Sequence, residues 1–330
     1  MKFLVIRFSS IGDIVLTTPA IRCLKQQVVG AKVHFLSKSN FDVVTEGNPY
    51  IDKFFYFKNN LSSLIQDLKK EEYDYIIDLH NNFRSKRICF ALHAKVLTYH
   101  KERFQKFLLT KLRINKMSGR HIVERCVDTL APLGVVNDGK GMDFFISSKQ
   151  EISLTDLPVP HMLGYVAIVI GASYFTKKLP IHKLRELCAA IEFPIILVGG
   201  KEDYADGEAV ACIDSIRIYN ACGKYSLQES ADLVRKSKLV ITNDTGLQHI
   251  ACAFNKPVLS IWGGTSPLLN MEPYYANDEM GRYQNFVVPG LNCQPCSNFG
   301  LNACPKGHFN CMEKQDITAI TNATKKWLKT

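Results

Sequence analysis

Residues 3–18 read FLVIRFSSIGDIVLTT. The four apolar residues 3–6 suit a strand buried on both faces. A short polar loop follows, and then apolar residues at helical spacing. Strand, loop and helix in that order open an α/β domain built on a parallel sheet. At this loop a dinucleotide-binding domain carries G-x-G-x-x-G, which lets the backbone approach a pyrophosphate. Here a single glycine, Gly12, is followed by Asp13, and a carboxylate repels a diphosphate at close range. The loop therefore serves something other than a nucleotide. Ser10-x-x-Asp13 also has the spacing of a capping box, with Ser10 as N-cap.

The same alternation continues outward. Strand-type runs occur at 32–37 (KVHFLS) and 73–80 (YDYIIDLH), and an amphipathic helical stretch is expected over about 85–113. Periodicity lapses in the proline-containing residues 151–162, which are read as a linker. The pattern then restarts with YVAIVIGAS (165–173), a helix near 181–192, PIILVGG (194–200), LVITND (239–244) and PVLSIWGG (257–264). The expectation is an α/β protein with two Rossmann-like domains facing across a cleft. Residues 1–150 form the first domain and 163–315 the second, and 316–330 form a helix that packs back toward the first. Ligands of such sheets bind at the carboxyl ends of the strands.

Length and composition agree. A chain of 330 residues exceeds one ordinary core. No apolar run approaches the ~20 residues of a membrane helix. Arg7 interrupts the first apolar run, no cleavage-type segment follows, and a cytoplasmic location is expected. Seven of the eleven cysteines are scattered among predicted helices and strands, as buried free thiols in a reducing compartment would be. The net charge of +10 is concentrated in the first half, and residues 84–125, with 12 basic and 2 acidic side chains, account for the whole excess. That local field implies an anionic partner for one region. No nucleic-acid motif accompanies it, so a nucleic-acid partner is not expected.

Three loops of the second half carry candidate chemistry. In NDTG (243–246), Asp244 and Thr245 precede a short helix whose N-terminus suits a phosphate or ribose. The same residues also suit an N-cap, and His249 could equally be a packed histidine. In IGASYFTKKLP (170–180), Ser173 and Thr176 offer hydroxyls, and Lys177 or Lys178 a cation. Glu202, after Gly199 and Gly200, could accept from ribose hydroxyls. Cys293-x2-Cys296-x7-Cys304-x6-Cys311 has the ligand count of a structural zinc site, with His308 nearby; loop thiols are the alternative.

RFSSIGDIVLTTPAIRCLK (7–25), DLHNNFRS (78–85), HIVERCVDTLAPLG (121–134), NDTGLQHIACAFNKPVLSIWGGTSP (243–267) and CQPC…CM (293–312) occur in that order. Together they resemble the motif series of glycosyltransferase family 9, the ADP-heptose:lipopolysaccharide heptosyltransferases. The resemblance implies a GT-B fold and inverting, metal-independent transfer of a sugar from a nucleotide-sugar donor, ADP-heptose, to an anionic glycolipid acceptor of lipopolysaccharide core type. The absence of a D-x-D pair in the chain agrees with that. By motif position, Asp13 would be the general base and Lys177, with Ser173, would meet the diphosphate. Glu202 would hold the ribose, and Thr176, Asp244, Thr245, Gly246, Leu247 and His249 would hold the rest of the donor. Ser10, Gly12, Arg84 and His121 would contact the acceptor. Two positions depart from the family pattern: Leu179 stands where an aromatic is expected, and Ala172 replaces a hydroxyl residue.

An acceptor hydroxyl loses its proton as it attacks the anomeric carbon, and a lone carboxylate away from the phosphates can take it. That answers the first loop. Asp13 can serve as base while its neighbour Ser10 caps the helix. The basic residues of 84–125 are interleaved with phenylalanine and leucine, which suits an anionic membrane surface, here the inner face of the inner membrane. Another nucleotide-sugar enzyme, such as an epimerase, or a non-enzymatic nucleic-acid binder are the alternative readings.

Overall fold

The computed structural model describes residues 1–277 and 281–329. The chain clusters into two compact units, Met1–Glu102 with Arg120–Phe145, and Arg103–Gly119 with Ile146–Thr330. The first unit thus lacks a segment, Arg103–Gly119, that lies inside the expected first domain.

The first unit is built on strands β1 (Lys2–Ile6), β2 (Lys32–Lys38), β3 (Lys53–Phe57), β4 (Tyr75–Asp78) and β5 (Lys95–Thr98). They form one parallel sheet in the order β3-β2-β1-β4-β5. The run 3–6 is central and fully buried, which is why it is apolar without alternation. Leu4, Ile6, Leu36 and Ile76 pack with Leu64, Leu68 and Ile88 of the covering helices. The order reverses direction between β1 and β4, so the loops after these two strands lie side by side.

The helical stretch expected over 85–113 is interrupted. Helix Phe83–Leu92 ends at His93, whose φ of 54° is left-handed. Strand β5 then pairs with β4, from Tyr75↔Lys95 to Asp78↔Thr98. A short helix, Arg103–Phe107, and a π-helical turn, Leu108–Leu112, follow. Pairing the open edge of β4 outweighs the local helical period here.

The second unit contains β6 (Val166–Val169), β7 (Ile195–Val198), β8 (Ile218–Asn220), β9 (Leu239–Asn243), β10 (Val258–Ile261) and β11 (Tyr283–Phe286). They too form one parallel sheet, in the order β11-β10-β9-β6-β7-β8. Strands β6 and β9 are adjacent although about seventy residues separate them, and the order reverses there. Helix Ile317–Lys329 buries Ile317, Ile320 and Ala323 in this unit's own core. Residue 330, the last of the C-terminal segment, and residues 278–280 of the expected second domain lie outside the described residues.

Candidate functional site

In the first unit the loop after β1 folds around one carboxylate. Asp13 sits in the short helix Ile11–Val15. Its Oδ2 accepts from the Ser10 N–H (3.1 Å) and the Ser10 hydroxyl (2.9 Å), and its Oδ1 meets Arg7 Nη2 at 2.6 Å. The Arg7 guanidinium also donates to the carbonyls of Ser9 (3.0 Å) and Leu79 (2.6 Å), which ties the β1 loop to the β4 loop. Burial acts to raise the Asp13 pKa. The Arg7 charge and the Ser10 hydrogen bonds outweigh it and hold the carboxyl at about 2. Asp13 is therefore an anion throughout the physiological range. Its side chain remains 19% exposed. Three of its roughly four lone-pair positions are taken, which leaves capacity for one further donor.

Arg7 was legible as a charged residue ending an apolar run, but no functional role was assigned to it from sequence. His80 was missed as well. Its ring stands edge-on to Phe8 at 5.2 Å, and its buried Nδ1 has no hydrogen-bond partner among the described residues. Burial, then the Arg7 and Lys101 charges, push it down to about 3, so it is neutral. Arg84 stacks its guanidinium on Phe57 (4.6 Å) and Phe8 (5.5 Å), which orients the group without neutralising it. Gly12 is buried in the Asp13 helix. His121 is the N-cap of helix Ile122–Asp128, where its Nδ1 accepts from the Val123 N–H.

In the second unit the adjacency of β6 and β9 brings Lys177 and Asp244 together. Lys177 Nζ lies 2.8 Å from Asp244 Oδ2 and 3.0 Å from the Asp244 carbonyl oxygen. The Thr265 hydroxyl donates to the same Oδ2 at 2.8 Å. Thr265, in the loop after β10, is a partner the sequence did not single out. An ammonium has three N–H groups, so one of Lys177's remains for a ligand. Thr245 is the N-cap of helix Gly246–Ala253, whose first N–H groups and dipole favour an anion. Leu247 belongs to the first turn of this helix, and His249 is buried on its inner side.

The other predicted donor residues divide. Ser173 and Glu202 are exposed at the ends of β6 and β7. Thr176 is buried, and its bonds are structural. Its N–H donates to the Leu301 carbonyl (3.0 Å), and its hydroxyl accepts from the Leu301 N–H (2.8 Å). Lys178 pairs with Asp203, leaving Lys177 as the cation beside Asp244. Leu179 is buried in the core under this loop. The volume of the aromatic expected there is thus supplied by an aliphatic.

All the cysteines are free thiols. Cys293, Cys296, Cys304 and Cys311, with His308, line a small cavity of about 20 Å³. Cys311 and Cys304 pack on the apolar core. Burial pushes the Cys311 thiol up to about 12. Among the described residues no group of three or more His, Cys, Asp or Glu is placed to hold a metal ion, so a zinc-ligand cage is not preassembled here.

Comparison with known proteins adds to this geometry. Residues 61–298 match the sequence model described as glycosyltransferase family 9 (heptosyltransferase). Lipopolysaccharide heptosyltransferase 1 of Campylobacter coli is 25% identical over 300 residues, covering 82% of this chain and 86% of that protein. Among solved structures, a glycosyl transferase family 9 protein of Veillonella parvula superposes with a TM-score of 0.79 at 18% identity, over 100% of this chain and 98% of that one. The E. coli heptosyltransferase WaaC with ADP gives 0.67 at 19% identity, covering 99% and 100%. At those identities the structural likeness carries the fold alone.

Proposed function

Since the chain belongs to glycosyltransferase family 9, the heptosyltransferases, we propose that it transfers heptose from ADP-heptose to an anionic lipopolysaccharide-core acceptor, with inversion and without a catalytic metal. The observation that carries this reading is the Lys177–Asp244–Thr265 network beside the N-terminus of helix Gly246–Ala253. The helix dipole, with the one N–H that Lys177 keeps beyond its pair with Asp244, suits a leaving nucleoside diphosphate.

The second unit holds the donor in this reading. The Lys177 ammonium and the N–H groups after Thr245 meet the charge that grows on the diphosphate, and Ser173 adds a hydroxyl. Glu202 accepts from the ribose. The first unit holds the acceptor, with Ser10 and the orienting Arg7 on Asp13 and Arg84 stacked on Phe8 of the same loop. The acceptor oxygen bonds the anomeric carbon as the bond to the diphosphate breaks, and its proton passes to the Asp13 carboxylate. A carboxylate held at about 2 is a weak ground-state base. It takes the proton only as the new C–O bond makes the hydroxyl acidic. The acceptor's phosphates bring the enzyme to the inner face of the inner membrane. Among the described residues no helix is long and apolar enough to cross a membrane. Exposed Phe83 and Phe90 beside Arg84 and Arg87 on helix Phe83–Leu92 support such a contact.

The test is release of ADP from ADP-heptose. It should require the glycolipid acceptor, survive excess EDTA and give a product of inverted anomeric configuration by NMR. ADP release without acceptor, or activity restored only by Mg²⁺ after chelation, would refute the proposal.

A further inference from the structure

Arg103–Gly119 clusters with the second unit, although the chain enters it from the first. There the π-helical turn Leu108–Leu112 and Arg113 stand against the cysteine-rich loop, and the Arg113 guanidinium donates to the Pro295 carbonyl. Between these segments lies an open cleft of about 320 Å³. Its charged lining consists of Lys111, Arg113 and Lys306, and no aspartate or glutamate is part of it. None of the three makes an ion pair with a carboxylate among the described residues. Three like charges converging on one concavity repel one another and raise the local concentration of anions.

Two further features narrow the ligand. Asn298 lines the same cleft, and its side-chain oxygen is buried with no hydrogen-bond partner among the described residues. An unpaired buried amide oxygen is costly, and a hydroxyl donor would satisfy it. Phe299, 66% exposed, and Leu301 supply an apolar wall on which the C–H face of a sugar ring can pack. The volume exceeds what a bare phosphate needs.

We propose that this cleft binds a phosphorylated saccharide, with the phosphoryl group on Lys111, Arg113 and Lys306 and a sugar hydroxyl on Asn298. Resting on the reading above, the ligand is a phosphosugar of the acceptor's core. The second unit then grips part of the acceptor as well as the donor. The cleft is wired to the donor loop. Leu301 exchanges two hydrogen bonds with Thr176, the residue before Lys177, and the Cys296 N–H donates to the carbonyl of Gly264, the residue before Thr265.

The experiment uses the full chain and glucose 6-phosphate as probe, with glucose and inorganic phosphate as controls, in ligand-observed NMR titrations. Glucose 6-phosphate should bind about tenfold more tightly than either control. The triple variant Lys111→Ala/Arg113→Ala/Lys306→Ala should weaken it about tenfold or more, with ADP affinity and the unfolding midpoint unchanged. Asn298→Ala should weaken the sugar phosphate and leave inorganic phosphate as it was. Unchanged sugar-phosphate affinity in the triple variant would overturn the proposal, and so would inorganic phosphate binding as tightly as the sugar phosphate. A parallel arm measures binding to phosphatidylglycerol vesicles. If the triple variant loses only vesicle binding, the three cations serve a lipid surface and the saccharide proposal falls. The functional reading is judged separately. If ADP binds and depends on Lys177 while the triple variant changes nothing, only this inference fails. If ADP does not bind, the functional reading fails whatever the cleft does.

Discussion

Replacing Asp13 with asparagine keeps the side-chain shape and removes the charge that Arg7 faces. The carboxyl ordinarily titrates near 3.8 and is held at about 2 here. At about 1.4 kcal/mol per tenfold change in acidity, that difference contributes about 2 kcal/mol of stability. The folded-state pKa is depressed, so the contribution is complete above the unfolded value and is lost as pH falls through the folded one. Wild type should therefore exceed Asp13→Asn by about 2 kcal/mol in urea unfolding at pH 7, a margin that halves between about pH 5 and pH 3. That figure already contains the loss of the anion that the buried Arg7 faces, since Arg7 is what lowers the Asp13 pKa. Transfer should fall by a factor on the order of 10²–10⁴, the range of a lost general base, with ADP affinity within about twofold of wild type. Near-normal turnover in a variant that merely unfolds earlier would make Asp13 a cap and nothing more. A stability difference that does not vary with pH would refute the ion-pair argument.

Lys177→Ala removes the ammonium beside Asp244 and should weaken ADP binding about tenfold or more by calorimetry, with a matching loss of transfer. Replacing Lys101, Arg103 and Lys106 with glutamine should reduce binding to anionic vesicles, at about 1 kcal/mol per lost charge at low salt. The difference should disappear at high ionic strength, and ADP affinity should not move. Gly263→Ala would place a Cβ 2.3 Å from the Thr176 carbonyl oxygen. It should lower the unfolding midpoint and weaken ADP binding together, because Thr176 precedes Lys177. An unchanged midpoint would mean that the loop after β10 yields without cost.

Much of the architecture was legible because it is local. Runs such as 3–6 and 195–198 are apolar without alternation, and only strands covered on both faces tolerate that. Lys177, Asp244 and Asp13, the residues of the candidate site, all lie in or just after the loops that follow such strands. The stretch 85–113 was misread because β5 has no period of its own strong enough to break a helical pattern. Its strand state comes from pairing with β4.

The sequence by itself determined the fold class, the family and the segments that carry the candidate site residues, since each depends on residue type and short-range spacing. It also held Ser10 and Asp13 within reach of each other, three residues apart in one turn. Tertiary structure alone decided the pairings. Lys177 meets Asp244 because β6 lies beside β9, and strand order is set by crossovers that leave no local mark. The Thr176 hydroxyl accepts from the N–H of the distant Leu301, a partner that spacing gives no sign of. The segment Arg103–Gly119 lies between the two stretches of the first unit in sequence and packs with the second. What it packs against, and so which charges are left facing solvent, is a matter of contacts between residues nearly two hundred positions apart.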